Sequence, residues 1–192
     1  MAIFLEDKNL LFIHIPKTGG ESITSWLKTN FNGKEVGWKH STIDDINFSC
    51  YTYSFAVVRH PYDRIISWYK HLVRELHTKG SKRNLETRKI VKLCEAQDGI
   101  NSYVDYCLND RSPHYLIWKP QSFFINKNTE ILRFENLIEN FKFIQIKLDC
   151  FKKLVHVNAS NNVDISLSNT SKKILKKVYE KDFIEFNYSD KL

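Results

Sequence analysis

The chain has no Cys-x-x-Cys pair, and none of its four cysteines, Cys50, Cys94, Cys107 and Cys150, has a histidine at metal-ligand spacing. No ligand-spaced metal site is therefore expected, and the thiols read as buried, reduced groups in a reducing compartment. No stretch approaches the roughly 18 apolar residues that a membrane-crossing helix requires, so no span is expected. The N-terminus lacks a basic-then-apolar signal pattern, and residues 10–15 look like a core strand. The expected compartment is the cytoplasm. No internal repeat, low-complexity tract or linker marks a second domain, so residues 1–192 are read as a single domain.

What is present is an ordinary globular composition with a basic bias. Of the 192 residues, 42% are hydrophobic and 27% charged, and the net charge is +7. That excess favours anionic partners. It is concentrated between Arg64 and Leu93, where nine Lys/Arg stand against two Glu. Such a run is either a solvated face or one wall of an anion-binding cleft.

The stretch around which the chain is organised is Leu11-Phe12-Ile13-His14-Ile15-Pro16-Lys17-Thr18-Gly19-Gly20-Glu21-Ser22. An apolar run ends at Pro16, two glycines follow, and Ile23, Trp26, Leu27 and Phe31 then recur at helical spacing. Strand, glycine loop and helix start together build an anion cradle, because the first N–H groups of a helix have no intrahelical acceptor. The order differs from a Walker A loop, in which the lysine follows the last glycine. Here Lys17 precedes both glycines and approaches a ligand from the strand side.

The rest of the chain alternates strands and helices. Residues 1–9 read as a lead-in. Strands are expected at 10–15, 35–39, 54–58, 121–125 and 130–134. Helices are expected at 20–30, 62–77, 99–108, 136–148 and 171–186, with a short one capped by Ser41. Residues 78–97 read as a polar loop with a helical piece. This alternation implies an α/β fold with a parallel sheet, in which ligands bind beyond the carboxyl ends of the strands. The loops at 16–22, 39–41 and 59–61 all follow strands and are expected to converge on one edge.

A second anion signal is Phe55-Ala56-Val57-Val58-Arg59-His60-Pro61-Tyr62-Asp63-Arg64-Ile65-Ile66-Ser67. An arginine at a strand end offers bidentate recognition of a phosphate, and a serine on the polar face of the following helix can add a hydroxyl. Together the two stretches resemble the nucleotide-binding motifs of the sulfotransferases that use 3′-phosphoadenosine 5′-phosphosulfate (PAPS), specifically the carbohydrate-type branch of sulfotransferase family 2. Pro16, Lys17, Thr18, Gly19, Gly20, Glu21 and Ser22 are similar to the loop that binds the 5′-phosphosulfate. Arg59 and Ser67 are similar to the pair that binds the 3′-phosphate. Leu132-Arg133-Phe134-Glu135-Asn136-Leu137, Pro120-Gln121, His156-Val157-Asn158 and the segment Tyr179–Tyr188 are similar to later elements of the family. Two departures stand out: Glu21 where threonine or serine is commoner, and His60 where aspartate or asparagine is commoner. Glu21 is expected to point away from the ligand.

The resemblance implies a three-layer α/β/α, P-loop-NTPase-like fold with a central parallel sheet. It implies PAPS as co-substrate with no metal, and a hydroxyl acceptor on a sugar or glycan. Lys17 is the candidate for stabilising the leaving phosphate, and a base near neutral pKa is needed for the acceptor hydroxyl. His40 lies where the family places its catalytic histidine and is the candidate; His14, inside the first strand, reads as core. Tyr51, Tyr53, Trp38 and Trp118 are candidates for stacking on sugar rings. The chain is small for the family, which leaves the acceptor side open or completed by a second copy in a homo-oligomer. No nucleic-acid partner is expected. The competing readings are a nucleotide-dependent kinase, against which the missing Walker A order stands, and a non-catalytic binder of anionic glycan.

Overall fold

The computed structural model describes residues 2–38, 40–46, 51–78, 80, 84–109, 115–155 and 165–190. The strands are β1 (Ala2–Leu5), β2 (Leu10–Ile13), β3 (Lys34–Val36), β4 (Tyr53–Val58) and β5 (Thr129–Arg133). The helices are α1 (Gly20–Phe31), α2 (Pro61–His77), α3 (Leu85–Glu95), α4 (Ile100–Asn109), α5 (Tyr115–Trp118), α6 (Leu137–Leu148), α7 (Asn169–Val178) and α8 (Glu180–Glu185). They form two compact units: Met1–His60 with Pro120–Ala159, and Pro61–Lys119 with Ser160–Leu192.

The first unit holds the sheet, in the order β3-β1-β2-β4-β5. Strands β2, β4 and β5 are parallel, whereas β1 is antiparallel to both β2 and β3. The sheet is thus mixed rather than parallel throughout. The cause is the stretch read as a lead-in: Ala2, Ile3, Phe4 and Leu5 are a buried strand. Only a 3-10 turn at Glu6–Lys8 and Asn9, at φ 47°, join it to β2. So short a connection permits an antiparallel pair and no crossover. Two reversals leave β3 running the same way as β2. Ala2 accordingly pairs with the last residues of both, Ile13 and Val36. The carboxyl ends of β2, β3, β4 and β5 therefore share one edge.

One face of this sheet carries Ile3, Leu5, Leu10, Phe12, Phe55, Val57 and Leu132. Helix α1 packs Ile23, Trp26 and Leu27 there, and α6 adds Leu137, Phe141, Ile144 and Leu148. Those residues recur at three- and four-residue spacing, so each helix presents a single apolar stripe. Trp26 meets Phe141 edge-on at 5.0 Å and donates its indole N–H to the Lys152 carbonyl at 2.7 Å. On the opposite face Phe4, Leu11, Ile13, Ala56 and Val58 are also buried, which explains why the strands read as continuous apolar runs.

The second unit is helical. Ile65, Tyr69 and Leu72 of α2 join Ile90, Val91 and Cys94 of α3, Tyr103 and Val104 of α4, and Leu175 and Phe183 of α7 and α8. Arg64, counted above as the start of the basic run, is fully buried in this unit. It donates to the carbonyls of Lys119 at 2.9 Å and Leu116 at 3.5 Å, and lies 5.8 Å from the Tyr179 ring centre. Burial pushes its pKa down, while Tyr179 and Asp182 favour its charge.

Three further expected elements differ. Residues 121–125 are not a strand: Gln121–Phe124 is a 3-10 turn, whose Phe124 carbonyl accepts the Ile43 N–H at 2.9 Å. The short helix after Ser41 is a single turn. Its capping exchange is shifted by one residue, with the Thr42 N–H donating to Asp45 Oδ2 and the Asp45 N–H to Thr42 Oγ1, at 2.8 and 3.1 Å. The bonds from Thr42 hold the Asp45 carboxyl below its ordinary value. The final helix breaks at Tyr179 into α7 and α8. Lys39 and the loop His156–Asn158 lie outside the described residues.

Candidate active site

Between β2 and α1 the backbone turns through two left-handed residues, Lys17 (φ 68°) and Gly19 (φ 82°). The buried Thr18 hydroxyl donates to the Ile15 carbonyl at 3.0 Å, so this side chain braces the loop from within. The Ser22 N–H donates to the Gly19 carbonyl at 3.2 Å and closes the first turn. The glycines are demanded by close approach as well as by torsion. A Cβ on Gly20 would lie 2.2 Å from His14 Cδ2, and one on Gly19 would lie 2.9 Å from the Phe134 ring. Pro16 and Ser22 are buried, Lys17 is half-buried, and Glu21 is exposed on the first turn of α1. The backbone of residues 19–21 thus begins a helix at the carboxyl edge of the sheet, the geometry that favours an anion.

Arg59 follows the last residue of β4. Its Nη1 donates to the Lys17 carbonyl at 3.5 Å, which ties it to the glycine loop. Its guanidinium lies 4.2 Å from the centre of the Phe134 ring, the same ring that abuts Gly19. The fully buried Gln121 accepts the Arg59 N–H and donates to the Arg59 carbonyl, both at 2.8 Å, and so continues the β-ladder one residue past the strand. Glu135 accepts the His60 N–H at 2.6 Å. These clamps orient an arginine at the strand end without using its guanidinium, whose fork suits phosphate or sulfate oxygens.

His40 sits in the loop after β3 at φ 67°. Its ring meets the His14 ring edge-on, 5.4 Å between centres, and its Nδ1 lies 3.3 Å from the His14 carbonyl oxygen. Ser41 fixes this loop, accepting the Trp38 N–H at 2.8 Å and donating to the Trp38 carbonyl at 3.2 Å. Among the described residues six non-glycines have positive φ; Asn9, Asn32, His40, Asp149 and Asn187 are of types enriched there, and Lys17 is the exception. Backbone strain of this kind gathers at functional sites.

The first unit thus brings together the loop 16–22, Arg59 and His40. Ser67 lies on α2 in the second unit, half-buried. Of the aromatic candidates Trp38 is 77% exposed. Trp118 packs in the helical core, and Tyr53 lies beneath Lys147 at 4.1 Å with burial pushing its hydroxyl up to about 12. Sequence reasoning gave no duty to Gln121, Phe134 and Glu135. Its signals for them were the Pro120-Gln121 pair and the Arg133–Leu137 segment, both of which resembled the family without suggesting a task. It also took His14 for core alone. His14 is indeed buried, but its ring abuts both Gly20 and His40.

Residues 1–189 match a family model described as "Sulfotransferase family", so the match runs through both units. No curated protein matches the chain.

Proposed function

We propose, from the premise that the chain belongs to the sulfotransferase family, that it transfers the sulfuryl group of 3′-phosphoadenosine 5′-phosphosulfate to a hydroxyl of a carbohydrate acceptor. The observation that carries this reading is the meeting, on one sheet edge, of a glycine cradle with its lysine on the strand side, a clamped arginine and a histidine. The cradle suits the 5′-phosphosulfate. Arg59 suits the 3′-phosphate, and the resemblance adds Ser67 to that phosphate's ligands. The three-layer α/β/α, P-loop-NTPase-like arrangement and the single domain over 1–192 belong to the same reading.

The chemistry is an in-line displacement at sulfur. The acceptor O–H gives its proton to His40 as the oxygen forms a bond to sulfur. The bond from sulfur to the bridging oxygen of the 5′-phosphate breaks, and 3′-phosphoadenosine 5′-phosphate leaves. Lys17 meets the negative charge that grows on this bridging oxygen and can protonate it, while the N–H groups of residues 19–21 face the non-bridging oxygens. The exposed Glu21 stays out of this field. Trp38, two residues before His40, offers its face to a sugar ring. Exposed Lys89 and Lys92 on α3, and Lys173 and Lys177 on α7, favour an acidic acceptor. A homo-oligomer and a cytoplasmic location are part of the proposal and rest on the sequence.

Calorimetric titration tests the reading. Binding of 3′-phosphoadenosine 5′-phosphate in preference to ATP, with sulfuryl transfer undiminished by a chelator, is expected. Preference for ATP together with a strict magnesium requirement would replace it with the kinase reading.

A further inference from the structure

His40 is proposed above as the base, but imidazole has two nitrogens, and only the one without a proton can act. In an unconstrained histidine the tautomer with the proton on Nε2 predominates, which would leave Nδ1 as the basic atom. The structure points the other way. His40 Nδ1 lies 3.3 Å from the His14 carbonyl oxygen. A carbonyl oxygen has no proton to give, so this hydrogen bond exists only when Nδ1 carries one. The carbonyl of the residue just beyond β2 thereby sets the tautomer, in the way a carbonyl behind a ring fixes which nitrogen reacts.

The His14 side chain adds to this. It is 7% exposed, and its ring meets that of His40 edge-on at 86°. It also fills the space a side chain at position 20 would need: a Cβ there would lie within 2.4 Å of its Cδ2 and Nε2. One ring thus abuts both the start of the anion cradle and the histidine. His40 itself sits in left-handed backbone at φ 67°.

We infer that His14 is a positioning residue: its carbonyl and ring hold His40 as the Nδ1–H tautomer, so that Nε2 is the nitrogen that takes the acceptor proton. This rests on the proposed function for the proton transfer alone; the tautomer is a property of the protein without donor or acceptor.

The test is nitrogen-15 NMR of the histidine rings in the full chain, above the pH at which His40 titrates, with His40→Gln used to assign its signals. The expected spectrum shows His40 protonated at Nδ1 with Nε2 in the deprotonated range. An Nε2–H tautomer, or an averaged pair of shifts, overturns the inference. In His14→Ala the carbonyl remains but the ring is gone, and the His40 shifts are expected to move toward the Nε2–H pattern; unchanged shifts would remove the ring from the role. His14→Phe, which keeps a flat ring, is expected to restore the Nδ1–H pattern. Should the alanine variant not fold, the wild-type spectrum still decides the tautomer and the phenylalanine variant the ring. A His40→Gln protein with full sulfuryl transfer would sink His40 as base and leave the tautomer standing, so the two failures are distinct.

Discussion

The side-chain amide of Gln121 grips the backbone of Arg59 from both sides, accepting its N–H and donating to its carbonyl at 2.8 Å each. Gln121 is fully buried. Gln121→Ala therefore strands two backbone groups, and each buried orphan costs about 1–3 kcal/mol. The expected outcome in thermal denaturation is a loss of about 2–4 kcal/mol, with weaker 3′-phosphoadenosine 5′-phosphate binding by calorimetry because Arg59 loses its orientation. Gln121→Glu fills the space and accepts the N–H but turns an oxygen toward the Arg59 carbonyl, and is expected to rescue little. Full affinity in both variants would mean that Arg59 is held by other means.

Lys17→Ala is expected to lower turnover by roughly 10²–10⁴-fold, the range for removal of a proton donor or charge stabiliser at a leaving group. Melting temperature is expected to change little, because alanine keeps the Cβ and with it the same left-handed torsion cost. An alanine variant with full activity would contradict the mechanism. Salt-dependent binding of an anionic glycan that survives the substitution, in a protein that shows no turnover, would favour the non-catalytic reading.

Gly20 and His14 compete for one space. Gly20→Ala places its methyl 2.2 Å from the His14 ring, and overpacking of this kind costs about 1–3 kcal/mol. The double variant Gly20→Ala/His14→Ala is expected to regain most of that loss, so a double-mutant cycle should yield a coupling of about 1–2 kcal/mol. Additive effects would show that the loop relaxes without help from His14.

Arg64 supplies a different kind of test, since it is basic, buried and in the helical unit. Arg64→Met leaves the Leu116 and Lys119 carbonyls without their charged donor. Hydrogen bonds to a charged group are worth about 1.5–3 kcal/mol, so a loss of roughly that size is expected. The measurement is urea denaturation. An Arg64→Met protein as stable as the parent would return this residue to the surface-charge class in which the sequence count placed it.

Much of this was legible in the sequence because local chemistry dictated it. The run from Leu10 into Gly19-Gly20 read correctly as strand, loop and helix, since apolar continuity, glycine torsions and helical spacing all agree there. Arg59 at a strand end was equally plain. The sheet's mixed order was not, because four apolar residues at the start carry no sign of the strand's direction; that is set by the short turn at residues 6–9. Gln121 misled for a physical reason. Its side chain pairs like a strand while its own backbone turns, so the segment Gln121–Ile125 has strand-like composition without strand geometry. Arg64 was miscounted because a charge in sequence does not reveal that carbonyls at 116 and 119 wait to receive it. His14 showed one role and has two, and the distance that adds the second, across 26 residues to His40, is set by tertiary packing.

The left-handed torsions at Lys17 and His40 carry an evolutionary consequence. Asparagine adopts that conformation more readily than either, so Lys17→Asn and His40→Asn should each make the fold more heat-resistant, by up to about 1 kcal/mol. A library sorted only for survival at high temperature would therefore drift away from lysine and histidine at these two positions. One sorted for sulfated product would keep them. The divergence of the two pools at positions 17 and 40, against agreement at their structural neighbours Thr18 and Ser41, would record the stability that this chain forgoes in order to react.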